Sequence, residues 1–325
     1  MENNNGMIHA YLINAADKIK KVGLNEINSY TPEQGLLWVH MNVEHPQTHT
    51  WFHEHSRLYE VVLDGMLADE TRPRIRLQDK GMMIILRAMN MNKGADPTDM
   101  IPLSMWVDQN RILTTQSRDI RSIEDIVKDI ESGAAPIATC EFITRIISRV
   151  FESMEFFLED LEESISYSEA QIVLNNEEGI DQCVAMSRKQ ITIFRRYIIP
   201  QKTVVEKMIR NTYGWFAEKH KEQLVEELDR ITRYTEELDE LRDRMQILND
   251  EIRTNHSERL NHIAYIFSVV ATLFLPLGFL TGLFGINLGG MPSWLNDTNA
   301  FPGFIIFCIV LVVLQIVIFK KLKWF

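Results

Sequence analysis

Two uncharged apolar runs near the C-terminus constrain this chain more than any other feature. Residues 263–284 (IAYIFSVVATLFLPLGFLTGLF) are 22 residues without a charge, and residues 301–319 (FPGFIIFCIVLVVLQIVIF) are 19 more. At the α-helical rise these make rods of about 33 and about 28 Å, matching the hydrocarbon thickness of a bilayer. A buried soluble hairpin is the alternative, and soluble cores rarely use two such runs. Lys320, Lys321 and Lys323 follow the second run, and Arg253 and Arg259 precede the first. The loop between them, residues 285–300 (GINLGGMPSWLNDTNA), has no Lys or Arg. The expectation is a multi-pass protein of the inner or plasma membrane, with both termini cytoplasmic and the loop outside. Trp294, Phe301 and Trp324 stand where interfacial aromatic anchors belong.

The rest of the chain, out of 325 residues, is long enough for further domains with sizeable cores. A formal net charge of -11 argues against a nucleic-acid partner, because a phosphate backbone calls for a basic surface. Cys140, Cys183 and Cys308 are widely spaced, which is no disulfide framework and suits a reducing cytoplasm. The start, MENNNGMIHAYLINAADKIKK, lacks the basic flank and continuous apolar core of a signal peptide.

Residues 1–135 read as an α/β cytoplasmic domain. Residues 36–43, 82–90, 101–107 and 111–116 are short strand-like runs, the last two joined by a turn near 108–110. Residues 48–66 (THTWFHEHSRLYEVVLDGM) and 120–133 read as helices. The Gly-Ala-Ala-Pro at 133–136 marks a boundary. Residues 136–260 then read as almost wholly helical, including a long stalk helix, broken near 175–179 and open to a kink at Pro200. Residues 261–325 are expected to make a two-helix membrane domain, the candidate pore. Between residues 124 and 178 there are 14 acidic and 3 basic residues. Such a run is ordinarily a solvated helix face, and in a cation transporter it also concentrates cations.

The most informative pattern runs along the last long helix. Stepping by threes and fours back from Gly282 gives Gly278, Leu275, Ala271, Ser268, Ala264 and Asn261, so six of the seven are small or polar. The other faces carry Phe, Leu, Ile and Val. Lipid has no use for a small stripe, whereas close packing around an axis or a narrow conduit does. Continued into the cytoplasm, the register meets Asp250, Asp243, Glu240, Glu236, Asp229 and Glu226, while Leu238, Leu241, Met245, Leu248 and Ile252 form an apolar stripe on roughly the opposite side. A straight helix drifts from this register by about 20° per heptad, so the remote acidic positions follow less tightly. A cation would meet carboxylates in a vestibule and almost no charge in the membrane. A coiled-coil stalk on a tight anchor, without a conduit, is the competing reading. Two helices cannot enclose a pore, so transport requires an oligomer with closed symmetry.

After the first span the chain reads TLFLPLGFLTGLFGINLGGMP, residues 272–292. This resembles the pore helix and signature loop of the CorA metal-ion transporter family, whose hallmark is Gly-Met-Asn directly after the first of two C-terminal spans. Here the triplet is Gly285-Ile286-Asn287, and an aliphatic in the middle is more typical of the family's zinc-transporting ZntB branch. Residues 68–78 (ADETRPRIRLQ), 86–92 (LRAMNMN), 102–118 (PLSMWVDQNRILTTQSR), 38–43 (WVHMNV) and 320–324 (KKLKW) are similar to stretches of that branch. The resemblance implies a homopentamer with a cytoplasmic funnel, a pore lined by the first spans, and Asn287 ringing the outer mouth. A carboxamide oxygen there can accept hydrogen bonds from waters held by a dication, and Gly285 would free the turn. It also implies proton coupling, although neither span holds an Asp, Glu, Lys or Arg to carry the proton.

Other candidates are weaker. His49, His53 and His55 include an i, i+4 pair on one helical face, a candidate zinc pair at His49 and His53. The pattern is not His-Glu-x-x-His and has no local fourth ligand, so solvated helix histidines remain the alternative. Asp69 and Glu70 beside Arg72 and Arg74 suggest a structural ion network. No phosphate-binding glycine loop or catalytic constellation is present. The expectation is therefore no enzyme and no permanently bound cofactor. The expected transported substrate is zinc or another divalent cation, and the expected state is a homo-oligomer in a lipid bilayer. A magnesium or cobalt channel of the same family, or a membrane-anchored structural or sensory oligomer, are the alternatives.

Overall fold

The computed structural model describes residues 5–14, 19–68, 71–174, 179–211, 213–285 and 300–321. It divides into two compact units, Met1–Asn249 and Asp250–Phe325.

The first unit holds a seven-stranded sheet built from β1 (Met7–Ile13), β2 (Ile19–Lys21), β3 (Leu36–Asn42), β4 (Arg74–Leu77), β5 (Gly81–Ala88), β6 (Ile101–Asp108) and β7 (Arg111–Gln116). The order is β2-β1-β3-β7-β6-β5-β4, with β3 and β7 parallel and every other pair antiparallel. β5 is buried along all eight residues, as a strand covered on both faces must be. On one face Leu37, Val39 and Met41 join Trp51, Phe52, Val62, Leu63 and Met66 in a core under α1 (Leu24–Asn28), α2 (Pro46–His55) and α3 (Glu60–Met66). On the other, Trp38 meets Phe142 at 5.0 Å between ring centres, and its indole donates to Thr114 Oγ1 at 2.9 Å.

Residues 48–66 were expected as one helix and form parts of two. Ser56 Oγ donates back to the Phe52 carbonyl, and Arg57 takes a left-handed φ of 56°, which stops α2. The strands β1, β2 and β4 were not expected from pattern. β1 is an apolar run (MIHAYLI) whose only alternation is faint, and β4 is mostly exposed.

After α4 (Arg121–Glu131) come three long helices: α5 (Thr139–Val173), α6 (Ile180–Arg210) and α7 (Glu218–Gly285). Pro200 lies inside α6, which is assigned as one helix through it. The break between α6 and α7 has a clear anchor. Tyr213 Oη lies 2.6 Å from the carbonyls of both Gln78 and Gly81 and accepts from the Gln78 N–H at 3.2 Å, tying this connection to the β4–β5 turn. The expected apolar stripe of α7 is buried at Leu238, Leu241, Met245, Leu248 and Ile252. Ion pairs flank it: Arg230 with Glu152, Arg233 with Glu155, Arg244 with Glu162 and Glu169, and Arg195 of α6 with Asp239. Most are partly exposed, so each fixes register more than it stabilises.

In the second unit the distal part of α7 runs beside α8 (Ala300–Lys321). Both helices are long and apolar enough to cross a membrane.

Candidate functional site

The membrane part of α7 has two unlike sides. Val269, Leu273, Pro276, Leu277 and Leu280 are partly covered, and Leu277 lines one groove with Ile305, Cys308, Ile309, Val312 and Val313 of α8. Asn261, Ala264, Ser268, Ala271, Leu275, Gly278 and Gly282 are all exposed, Leu275 by 77%. At 100° per residue the centres of the two sets lie about 160° apart. The small stripe thus faces away from α8.

No contact among the described residues explains why that stripe is small. A Cβ added at Gly278 or Gly282 would meet no atom within 4 Å. Small residues cost packing area against lipid and are favoured where another helix backbone must approach.

The covered side contains a feature the sequence reading passed over. Pro276 removes one backbone N–H and frees the carbonyl four residues earlier, on Thr272. Gln315 of α8 donates its Nε2 to that carbonyl at 3.4 Å. An unpaired carbonyl is costly in hydrocarbon, and a neighbouring helix is one of the few places a donor can come from. A lone glutamine in one span and a lone proline in the other were the available signals.

Earlier in α7, Glu226, Asp229, Glu236, Glu240, Asp243 and Asp250 are all exposed. They lie on the side opposite Leu224, Ile231, Leu238, Leu241, Met245 and Leu248, which are buried. Asp243 accepts from the guanidinium of its neighbour Arg242 at 2.7 Å. Ile247 breaks the acidic series and is 68% exposed. Glu237, on the flank of the series, has its pKa raised, first by burial and then by the carboxylates of Glu162, Glu155 and Glu240, with Arg233 opposing.

Gly285 is the last residue of α7 and is exposed. Ile286 and Asn287, expected at the mouth, lie outside the described residues, as do Asp69, Glu70, Trp294 and Trp324. For the histidine pair, His49 Nε2 sits 2.9 Å from the Val43 carbonyl, and His53 is exposed. Among the described residues no group of three or more His, Cys, Asp or Glu is placed to hold a metal ion, so the pair gains no third ligand.

With this arrangement in view, the sequence was compared with known proteins. The family described as CorA-like Mg2+ transporter protein matches residues 33–321. The chain belongs to this family. It is 31% identical to the zinc transport protein ZntB of Yersinia pseudotuberculosis over 320 residues, covering 98% of this chain and 95% of that protein. It is 28% identical to the divalent cation transporter CmaX of Pseudomonas aeruginosa, covering 98% and 97%. Among solved structures, full-length CmaX matches with a TM-score of 0.84 at 26% identity, covering 98% of each chain. The CorA magnesium transporter of Methanocaldococcus jannaschii matches at 0.79 over 98% of this chain and 99% of that one; at 17% identity this shows the shared fold alone. Membership makes the chain a membrane transporter of divalent metal cations and not an enzyme.

Proposed function

We propose that this CorA-like protein carries zinc, as a hydrated ion, through a pore formed by the α7 helices of a homopentamer, with both termini in the cytoplasm. The observation that carries the proposal is the exposed stripe from Asn261 to Gly282: uncharged, small at all but Asn261 and Leu275, turned away from α8, and unexplained by any contact among the described residues. Copies of α7 arranged about a symmetry axis give that stripe its partner. The acidic series from Glu226 to Asp250 then faces a vestibule and raises the local cation concentration. In the membrane the ion meets Ser268, Ala271, Leu275, Gly278 and Gly282, none able to replace its water by strong ligation. Gly285, Ile286 and Asn287 form the outer mouth, where the amide holds the ion through its coordinated water.

Zinc is favoured by the 31% identity to a zinc transport protein over nearly the whole of both chains. Magnesium is the second reading, favoured by the description of the family itself. The amide chemistry of Asn287 serves either ion, so discrimination falls to the shape of the mouth around Ile286. A proton gradient is the candidate driving force, with His262 at the inner edge of the first span as a candidate carrier. The test is uptake of Zn²⁺, Co²⁺, Ni²⁺ and Mg²⁺ by purified protein in liposomes, with and without a pH gradient. Asn287→Ala is expected to reduce every flux, and Ile286→Met to change the zinc-to-magnesium ratio more than the total. Robust Mg²⁺ flux with no Zn²⁺ flux would sink the zinc assignment.

A further inference from the structure

Neither the pore nor the Gln315 contact makes use of the groove between the two spans. Its volume is ≈ 330 Å³, and its lining is Leu277 of α7 with Ile305, Cys308, Ile309, Val312 and Val313 of α8. The α8 members recur at i, i+3, i+4, i+7 and i+8, so they form one stripe of the helix. No charged, hydroxyl or amide side chain is among them.

The stripe continues past the groove. Ile316 extends it, exposed, and Lys320 closes it in the last turn of α8. At 100° per residue Lys320 falls about 20° from both Ile309 and Val313. Along the axis it lies about 10 Å from Val313 and about 16 Å from Ile309. That is the depth of one leaflet's hydrocarbon, about 15 Å. Lys320 and its neighbour Lys321 are both exposed, and neither has a hydrogen bond or ion pair among the described residues. An apolar channel one leaflet deep thus ends at two ammonium groups that the described residues leave without a counterion.

Any phospholipid can lay an acyl chain along such a channel, and the lysines choose among headgroups. A lysine stem lies along apolar surface while its ammonium reaches the interface. There it attracts an anionic headgroup, and a zwitterionic one offers it no net charge. A neighbouring subunit is the other candidate cover. With the small stripe of α7 on the symmetry axis, as proposed above, the groove opens on the far side of the helix, toward lipid; the inference rests on that reading.

We propose that the groove and Lys320 form a docking site for an anionic phospholipid in the leaflet on the Lys320 side of the bilayer. An acyl chain lies along Val313 and Ile309, and the phosphate sits at Lys320 with Lys321 beside it. The bound lipid neutralises the lysines and fills the space between α7 and α8 that the side chains leave open.

The experiment places the full-length protein in vesicles of equimolar phosphatidylglycerol and phosphatidylcholine with matched chains, extracts it gently, and counts the retained lipids by native mass spectrometry. Wild type should retain phosphatidylglycerol over phosphatidylcholine by about tenfold. Lys320→Gln combined with Lys321→Gln should bring that ratio close to one and leave phosphatidylcholine retention unchanged. Val313→Trp fills the groove and should lower retention of both lipids several-fold; Ile309→Phe replaces it if the tryptophan variant fails to fold. A wild-type ratio of one, or a ratio that the lysine variant leaves unaltered, overturns the site. So does a Val313→Trp variant with a changed subunit count and unchanged lipid retention, because a second copy of the chain then covers the groove. Zn²⁺ uptake into the same vesicles separates the two readings. Lipid preference without uptake counts against the pore alone, and uptake without lipid preference counts against the docking site alone.

Discussion

The two ends of α7 are one helix under two solvents, and exposure means opposite things along it. In the first unit the helix buries Leu224, Ile231, Leu238, Leu241, Met245 and Leu248 and turns Glu226, Asp229, Glu236, Glu240 and Asp243 outward. That is ordinary amphipathic behaviour in water, and the charged side demands no partner. In the second unit nearly every residue is exposed, and hydrophobicity no longer separates inside from outside. Size separates them instead. The side next to α8 carries Leu273, Pro276, Leu277 and Leu280, and the opposite side carries Ala264, Ser268, Ala271, Gly278 and Gly282. An exposed glutamate in water explains itself; an exposed row of small residues in a membrane asks for a neighbour.

The sharpest break between the two regions comes from Gly282→Phe. Among the described residues a Cβ at 282 would meet no atom within 4 Å, so folding and assembly should survive, while Zn²⁺ uptake in liposomes should fall to background. Retained flux would mean that the stripe lines no conduit. Replacing Glu226, Asp229, Glu236, Glu240, Asp243 and Asp250 together by their amides should lower uptake several-fold, up to about tenfold, at low ionic strength. The deficit should shrink at high salt, where screening already weakens their field. A salt-independent loss would point to misfolding or direct ligation.

A smaller effect is expected at the side of the spans that needs no second subunit. Gln315→Leu leaves the Thr272 carbonyl, freed by Pro276, without its donor. Stability in detergent should drop by about 1 kcal/mol, the usual scale of a hydrogen bond between spans. Pro276→Ala combined with Gln315→Leu should recover part of that loss, because α7 then supplies its own donor. No recovery would show that the two residues act separately.

The smallest effect tests the charged region. The Glu237 carboxyl is raised in the folded state, so the fold binds more protons than the unfolded chain across the window between the two pKa values. Wild-type stability should therefore fall as pH rises through that window. Glu237→Gln removes the dependence, and its melting temperature should gain on wild type as pH increases. A gain independent of pH would assign the effect to packing.

Much of this architecture was legible because it rests on solvent partition. The two spans, the strand runs at 36–43, 82–90, 101–107 and 111–116, and the buried stripe from Leu238 to Ile252 all follow from where apolar residues recur. The features that were missed depend each on one specific contact or backbone choice. The end of α2 hangs on Ser56 and Arg57, the α6–α7 break on Tyr213 reaching the β4–β5 turn, and the coupling of the spans on Gln315 meeting a carbonyl that Pro276 set free. Periodicity cannot register such contacts, since each joins residues distant in sequence or overrides a locally helical pattern.

The account stands on which side of α7 faces the axis, and cysteine scanning measures that directly. Single cysteines would be placed along residues 261–282 in a background lacking Cys140, Cys183 and Cys308, reconstituted in liposomes, and treated with a small water-soluble thiol reagent. The account predicts that labelling, and the block of Zn²⁺ uptake that follows it, recur at 261, 264, 268, 271, 275, 278 and 282. Labelling and block that recur instead along the Phe267, Phe274 and Leu277 faces would contradict it and make the small stripe a packing seam.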